Sequence, residues 1–249
     1  MARSAKLVES RCDAIDLNLG CPQRVAYVGH YGSYLLGDED RELVLSIVKK
    51  TSGAVSIPVF VKIRLLNTLE ETIKLVSQLK EAGAALVAIH ARYRASFERT
   101  GAGARDGAAM LDQVKEIKKL FPDFPIISNG NIIDWGDCGK NLDFTGADGV
   151  MSAEGILNDP ALFVEALAEK GVEDEELREL REVAADKVNL ALEYLNLVKT
   201  HPATVRTVVF HTRRMLKKEL EQVRGERELR FLLIFTSLTH PLARRRSSN

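Results

Sequence analysis

The 249-residue sequence predicts an α/β fold of parallel β/α units, followed by an all-helical region. Segments rich in Val and Ile alternate five times with amphipathic helical segments, which is typical of parallel strands joined by right-handed crossovers. Each predicted strand ends in polar groups, and a barrel brings all strand ends to one mouth, whereas a doubly wound sheet uses one or two. No strand pattern remains after about Pro160. These observations favour a partial (β/α)8 barrel followed by a helical domain.

The first predicted strand, residues 14–19, alternates aliphatic and polar side chains and runs into Gly20, Cys21 and Pro22. The loops that leave the carboxyl ends of parallel strands carry the reacting groups of α/β enzymes. Cys21 is therefore a candidate catalytic residue, and Asn18 lies on the same strand end. The alternative is that Cys21 is a small buried hydrophobic residue.

The remaining elements of the predicted barrel follow in chain order. Residues 38–51 carry apolar side chains at helical spacing, and residues 68–82 begin with the N-cap pattern Thr-x-x-Glu and stop before Gly83. The other predicted strands are residues 58–65, 85–91, 125–128 and 149–153, and the other predicted helices are residues 109–120 and 134–142. The polar groups at these strand ends are Lys62, Arg64, His90, Arg92, Asn129, Asn131, Ser152 and Glu154.

Two domains are predicted, a catalytic domain at residues 1–165 and a helical domain at residues 166–249. Helices are expected at residues 173–199 and 206–235, separated by a break at His201-Pro202. Ten acidic and five basic residues lie between positions 165 and 199, whereas eleven basic and four acidic residues lie between positions 201 and 249. A solvated helix face explains many such runs. The predicted basic cluster consists of Arg206, His211, Arg213, Arg214, Lys217 and Lys218, and residues 244–246 form a basic tail.

Composition limits the classes of function. The net charge is zero, which argues against a chain that coats nucleic acid through its overall field. No apolar run is long enough to span a bilayer. The three cysteines form no CxxC pair and have no histidine at metal-ligand spacing, so we expect neither a disulfide framework nor a metal site. A cytoplasmic location is expected, with the nucleus as the alternative.

Six ordered motifs resemble those of the flavin-dependent tRNA-dihydrouridine synthases, in particular the eukaryotic subgroup that acts at positions 16 and 17 of the D-loop. The resemblance extends from residue 1 to about residue 220. The motifs are DLNLGCPQ, GHYGSYLL, PVFVKIRL, AIHARYR, PIISNGNI and GVMSAEGILNDPALF.

The resemblance implies reduction of uridine to 5,6-dihydrouridine in the tRNA D-loop. FMN, reduced by NADPH, would deliver a hydride to C6 of a flipped-out uracil, and Cys21 would donate a proton to C5. A thiol with an ordinary pKa of about 8.5 is mostly protonated at neutral pH and can donate. Asn18 would bind the uracil edge, since an amide offers both a donor and an acceptor.

The same resemblance assigns further residues to the site. Arg64 and Arg92 would contact the substrate, and Lys62 and His90 would contact the flavin. A lysine that reaches solvent and a hydrogen-bonded core histidine are the alternatives for Lys62 and His90. The segments that would hold the FMN phosphate are Asn129, Gly130 and Asn131, and Ala153 with Glu154, where many relatives have Gly-Arg.

The glycines Gly101, Gly103 and Gly107 resemble a dinucleotide-binding loop. They do not follow the first strand of a β/α/β unit, and their spacing is wrong. We interpret this stretch, residues 101–107, as an active-site loop over the barrel mouth instead.

Relatives begin about three β/α units earlier, so the resemblance implies that only strands four to eight of the barrel are present. Five strands cannot close such a barrel. We therefore expect an N-terminally truncated chain that binds FMN weakly or not at all, with the missing barrel segment as a partner beside tRNA and NADPH. Two other functions stay open: an FMN barrel oxidoreductase acting on a small pyrimidine, and an inactive tRNA-binding fragment.

Overall fold

The computed structural model describes residues 1–94, 107–169 and 175–222. The chain divides into two compact units, Met1–Ser152 and Ala153–Asn249. The division expected at residue 165 lies inside the second unit. Residues 95–106, with Gly101 and Gly103 of the predicted active-site loop, lie outside the described residues, and so do residues 223–249 with the predicted basic tail.

The first unit contains one five-stranded parallel sheet, which confirms the predicted α/β class. Its strands follow chain order in space, so β1 and β5 are the two edges of the sheet within the described residues. The strands are β1 (Ile15–Asn18), β2 (Val59–Leu65), β3 (Leu86–Tyr93), β4 (Ile126–Asn129) and β5 (Gly149–Met151).

Helices alternate with these strands as predicted. They are α1 (Ala2–Val8), α2 (Arg24–Val28), α3 (Arg41–Ser52), α4 (Leu69–Glu81), α5 (Leu111–Leu120) and α6 (Trp135–Thr145), with 3₁₀ turns at Glu9–Arg11, Gly32–Leu35 and Asp38–Asp40. Helix α2 was not predicted, because its five residues are too few to show a helical period.

The core lies between one face of the sheet and helices α3, α4 and α5. Val61, Ile63, Val87 and Ile89 alternate along β2 and β3 and are fully buried on this face. Burying each such side chain contributes roughly 1.5–3 kcal/mol, so this face holds the sheet to its helices. The alternate residues of the same strands therefore point to the opposite face.

Two local signals that the sequence shows are confirmed. The Thr68 side chain accepts a hydrogen bond from the Glu71 backbone N–H at 3.1 Å, which begins α4 with the predicted N-cap. Gly83 follows α4 with φ of +100°, a conformation that glycine adopts without a steric penalty.

The second unit contains helices and no strands within its described residues. Its helices are α7 (Glu154–Asn158), α8 (Val164–Glu169), α9 (Glu175–Ala185), α10 (Lys187–Thr200), α11 (Val205–Met215) and α12 (Lys217–Gln222). The single helix predicted at residues 173–199 is two helices, since Asp186 leaves the helical conformation and its carboxylate accepts from the Val188 N–H at 2.7 Å. The helix predicted at residues 206–235 is α11 and α12 as far as the described residues extend.

No helix among the described residues combines the length and the apolar composition needed to cross a bilayer. The same residues contain no group of three or more His, Cys, Asp or Glu side chains arranged to hold a metal ion.

Candidate active site

Five predicted site residues share the sheet face opposite the core. Asn18 of β1 lies beside Lys62 of β2 in the parallel register. His90 of β3 lies between Arg64 of β2 and Asn129 of β4. Register partners in parallel strands point to the same side, as do residues two apart on one strand. We call this side of the sheet the polar face.

The loop after β1 carries the predicted acid. Cys21 is a free, half-buried cysteine. The Asn18 side-chain oxygen accepts from the Gly20 N–H at 3.0 Å, so the amide predicted to bind uracil also fixes the start of this loop. The structure thus places Cys21 and Asn18 at one strand end, as the sequence predicted.

Arg64, predicted to bind substrate, is only 6% exposed. Its Nε donates to the Gly20 carbonyl at 2.9 Å and its Nη1 donates to the Tyr93 carbonyl at 3.2 Å. The guanidinium therefore joins the loop after β1 to the end of β3. A substrate contact of Arg64 stays a prediction, whereas its hold on backbone carbonyls is an observed feature.

Lys62 is half-buried, and its pKa is lowered. Burial, and then the nearby Arg64 charge, lowers its pKa from 10.5 to about 8, although the Asp16 carboxylate opposes the shift. Partial desolvation in turn raises the pKa of Asp16, against the attraction of Lys62. Asp16, two residues before Asn18 on the same face, is a residue that the sequence analysis did not assign to the site.

His90 is a neutral imidazole at physiological pH. Burial lowers its pKa to about 3, and the charges of Arg64, Lys62 and Arg92 add to the shift. The Arg92 Nη1 lies 3.1 Å from His90 Nε2. A guanidinium can only donate, so Nε2 is the acceptor and the ring proton lies on Nδ1. His90 can therefore offer one N–H donor to a ligand.

Arg92 is 9% exposed and joins three segments of the first unit. Besides His90, it donates to the Gly107 carbonyl at 2.9 Å and to Asn131 Oδ1 at 2.7 Å. Asn131 adopts the left-handed conformation with φ of +59°, and its Oδ1 also accepts from the Ala109 N–H at 3.3 Å. The structure therefore brings Arg92, His90 and Asn131 together.

Asn129 and Gly130 are tied into the fold. Asn129 Nδ2 donates to the Met151 carbonyl at 2.8 Å, which links β4 to β5. The Gly130 carbonyl accepts from Asn141 Nδ2 of α6 at 3.3 Å. The assignment of residues 129–131 to an FMN phosphate stays a prediction.

In the second unit, one predicted cofactor residue pairs with one predicted RNA-binding residue. Arg214 Nη2 lies 2.6 Å from Glu154 Oε2, and its Nε donates to Asn158 Oδ1 at 3.0 Å. The negative charge of Glu154 is thus compensated by a guanidinium from α11. A role for Ala153 and Glu154 in cofactor binding stays a prediction.

Four of the six predicted RNA-binding residues are exposed, and two take part in packing. The His211 ring lies 5.6 Å from the Tyr194 ring, and Arg214 lies over Phe210 at 5.6 Å. Phe210 is 48% exposed, and it stands four residues after Arg206 and three before Arg213, which places all three on one side of α11. The exposed basic residues are Arg206, Arg213, Lys217 and Lys218.

The family of the chain follows from comparison with known proteins. The family model described as dihydrouridine synthase (Dus) matches residues 1–235. The chain belongs to the dihydrouridine synthase family. The matched range of this Dus chain includes the polar face and the Cys21 loop.

Three relatives of this Dus chain carry the name of one subgroup. The tRNA-dihydrouridine(16/17) synthase-like protein of Mus musculus is 36% identical over 209 residues, covering 84% of this chain and 39% of the relative. The tRNA-dihydrouridine(16/17) synthase of Schizosaccharomyces pombe is 38% identical over 165 residues, covering 66% and 40%. The Saccharomyces cerevisiae protein of that name is 37% identical over 161 residues, covering 64% and 36%. The chain thus spans about two fifths of the length of these relatives.

Among solved structures, a phosphonopyruvate hydrolase in complex with oxalate and Mg²⁺ aligns with the Dus chain at a TM-score of 0.48 and 13% identity, covering 91% of each chain. We draw no functional argument from this likeness.

Three groups of residues in this Dus chain were missed by the sequence analysis. Asp16 could have been found from the alternation of β1, which puts it on the side of Asn18. Ser33 and Tyr34 lie inside the motif GHYGSYLL, yet only the structure shows what they contact. Phe210 has a sequence signal, an aromatic residue between arginines at helical spacing.

Competitive labelling tests the charge environment of Lys62. Trace acetic anhydride, with peptide mass spectrometry across pH 6–11, should show the Lys62 amine losing its proton near pH 8, because burial and Arg64 disfavour the ammonium form. Asp16→Asn should lower this pKa further, since it removes the charge that opposes the shift, whereas Asp13→Asn should not. A Lys62 titration near the ordinary lysine value of about 10.4 would contradict the described environment.

Proposed function

We propose that this chain takes part in flavin-dependent reduction of uridine to 5,6-dihydrouridine in the tRNA D-loop. The observation that carries the proposal is that Asn18, at the end of β1, lies beside Lys62 of β2 on the polar face, and that the free Cys21 follows three residues later. A proton donor, an amide that can pair with a uracil edge and a cation are the groups that reduction of a flipped-out pyrimidine requires. A cytoplasmic or nuclear location is part of the same proposal.

Cys21 is the proposed acid for C5 of uracil. Its loop leaves the carboxyl end of β1, the edge at which parallel α/β enzymes carry reacting groups. Asn18 would hold the uracil edge, since its amide is already oriented by the bond from Gly20. In this arrangement the residue that binds the base ends β1, and the residue that protonates it follows three positions later in the loop.

The polar face is suited to an anionic cofactor such as FMN. Lys62, Arg64 and Arg92 surround His90, and Asp16 is the carboxylate that acts on Lys62. Burial, and then the neighbouring positive charges, lowers the pKa values of Lys62 and His90, so an anionic ring or phosphate bound beside them would stabilise their charged forms. Lys62, His90 and residues 129–131 would hold the cofactor. Bound FMN, reduced by NADPH, would supply the hydride to C6.

The partial barrel is part of the proposal. Within the described residues β1 and β5 each pair on one side only, and Asn18 is exposed on the polar face. Closing an eight-stranded barrel would take three further strands between these two edges. Those strands would also cover the polar face and complete the walls of a cofactor site.

The side of α11 that carries Arg206, Phe210 and Arg213 favours RNA over a free pyrimidine as substrate. Exposed cations that flank an exposed aromatic ring suit phosphates and an unstacked base. A small-molecule reductase would not need this surface. This observation separates the tRNA hypothesis from the alternative of an FMN barrel that acts on a small pyrimidine.

The role of Cys21 is tested with unmodified tRNA, NADPH and FMN supplied well above its affinity. Cys21→Ala should lower dihydrouridine formation about 10²-fold or more, the usual contribution of a general acid. Cys12→Ala, at the other partly exposed cysteine, should leave it unchanged. If the unaltered chain formed no dihydrouridine, the proposed activity would be wrong and the alternative of an inactive tRNA-binding fragment would be favoured.

Flavin titration tests the partial barrel. If strands are missing from the cofactor wall, the 249-residue chain should lose FMN during gel filtration and bind it only at high concentration. A stoichiometric yellow complex that survives purification would show that five strands suffice, and would overturn this part of the proposal.

Charge reversal tests the tRNA surface. Arg213→Glu with Lys217→Glu should weaken tRNA binding and reduce the slope of log affinity against log salt by about 1 for each lost phosphate contact. Lys199→Glu, an exposed reversal on α10, is the matched control. Unchanged tRNA affinity in the double variant would favour the small-pyrimidine alternative.

A further inference from the structure

The carbonyl groups of the Cys21 loop are held by donors from two directions. Ser33, in the 3₁₀ turn Gly32–Leu35, donates to the Cys21 carbonyl from its N–H at 3.0 Å and from its Oγ at 2.9 Å. The Tyr34 hydroxyl donates to the Pro22 carbonyl at 2.8 Å. From the other side, Arg64 donates to the Gly20 carbonyl. Three successive carbonyls are thus each engaged by a buried residue.

Gly32 lets the turn approach this closely. Its φ is +65°, and a Cβ at this position would lie 2.8 Å from the Cys21 carbonyl oxygen and 2.9 Å from Cys21 Cβ. Such distances are shorter than any ordinary contact, and the atoms they involve belong to Cys21 itself. A side chain at Gly32 would therefore displace the cysteine or the turn.

The turn is itself fixed to the end of β3. Arg94 Nη1 donates to the Ser33 carbonyl at 3.3 Å, and its guanidinium lies 4.6 Å from the centre of the Tyr34 ring. The Tyr34 ring also makes an edge contact with Tyr27 at 5.4 Å. These contacts hold the turn independently of the hydrogen bonds that it gives to the cysteine loop.

We propose that Gly32, Ser33 and Tyr34 are positioning residues that fix the backbone of the Cys21 loop and thereby the place of its thiol. A reacting group held by surrounding hydrogen bonds does not have to be ordered when the substrate arrives. The inference rests on the proposed role of Cys21 for its catalytic meaning. The hold on the loop itself is measurable without any turnover.

Alkylation of the cysteines by N-ethylmaleimide, resolved by peptide mass spectrometry, tests the hold. Cys21 is half-buried, so a bulky reagent should react with it mainly when the loop opens. Loss of one of these hydrogen bonds should raise the Cys21 rate about fivefold in Tyr34→Phe and in Ser33→Ala. Gly32→Ala should raise it more, because it forces the two backbones apart. Tyr31→Phe, beside the turn, is the matched control and should leave the rate unchanged.

Cys138 distinguishes positioning from general loss of stability. It is buried in α6 of the same unit, so its alkylation reports opening of the whole unit. A faster Cys21 with an unchanged Cys138 supports the proposal. Equal Cys21 rates in the unaltered chain and all three variants, or parallel increases at both cysteines, overturn it. If Gly32→Ala does not fold, as judged by circular dichroism, the two milder variants decide.

Kinetics separate this inference from the proposed function. With tRNA as substrate, Tyr34→Phe should lower kcat and leave KM unchanged, because the loop does not hold the rest of the tRNA. If Cys21→Ala retained full activity, the proposed acid would be wrong while the alkylation result would still stand. Lowered kcat in Tyr34→Phe without faster alkylation would overturn the positioning role and leave the proposed function intact.

Discussion

The crowding of positive charge on the polar face constrains much of the first unit. Burial lowers the pKa of His90, and the charges of Arg64, Lys62 and Arg92 lower it further. The Asp16 carboxylate opposes the lowering of the Lys62 pKa. Placing cations in so small and partly buried a space is costly unless their donors are satisfied. Arg64 and Arg92 meet this demand with backbone carbonyls and the Asn131 side chain, His90 stays neutral, and Lys62 holds its proton weakly.

The same demand determines where the loops lie. The buried Arg64 guanidinium donates to the carbonyl of Gly20, and this hydrogen bond fixes the start of the Cys21 loop. Arg92 anchors residue 107 and the segment after β4 in the same way. Guanidinium groups suit this role because they present several donors in a fixed plane. Arg64 and Arg92 therefore contribute positive charge to the site and also hold the surrounding loops in place. A substitution at Arg64 would change both the position of the Cys21 loop and the charge near Lys62 and His90.

The five strands and the polar residues near their carboxyl ends, Asn18, Lys62, His90 and Asn129 among them, were predictable from runs of Val and Ile that end in polar groups. The hydrogen bond from Arg64 to the Gly20 carbonyl could not be predicted from the sequence, because the two residues are 44 positions apart and a sequence does not show which residues are in contact. The pairing of Arg214 with Glu154 was hidden for the same reason. By contrast, the break between α9 and α10 had a signal in the sequence, because Asp186 is a good N-cap residue. The helical spacing of apolar residues on both sides of it predicted one continuous helix instead.

The second unit shows why net charge alone is a poor guide to a nucleic-acid surface. The whole chain is neutral, and two of the basic residues in its predicted cluster, His211 and Arg214, are used in packing and ion pairing. Two of the four exposed basic residues, Arg206 and Arg213, flank Phe210 along one side of α11. A row of cation, aromatic ring and cation can contact successive phosphates and a base. Acidic residues elsewhere in the unit limit the attraction of RNA phosphates at distances beyond about one Debye length of 8–10 Å. Such a surface would add affinity only where an RNA is already held close to it.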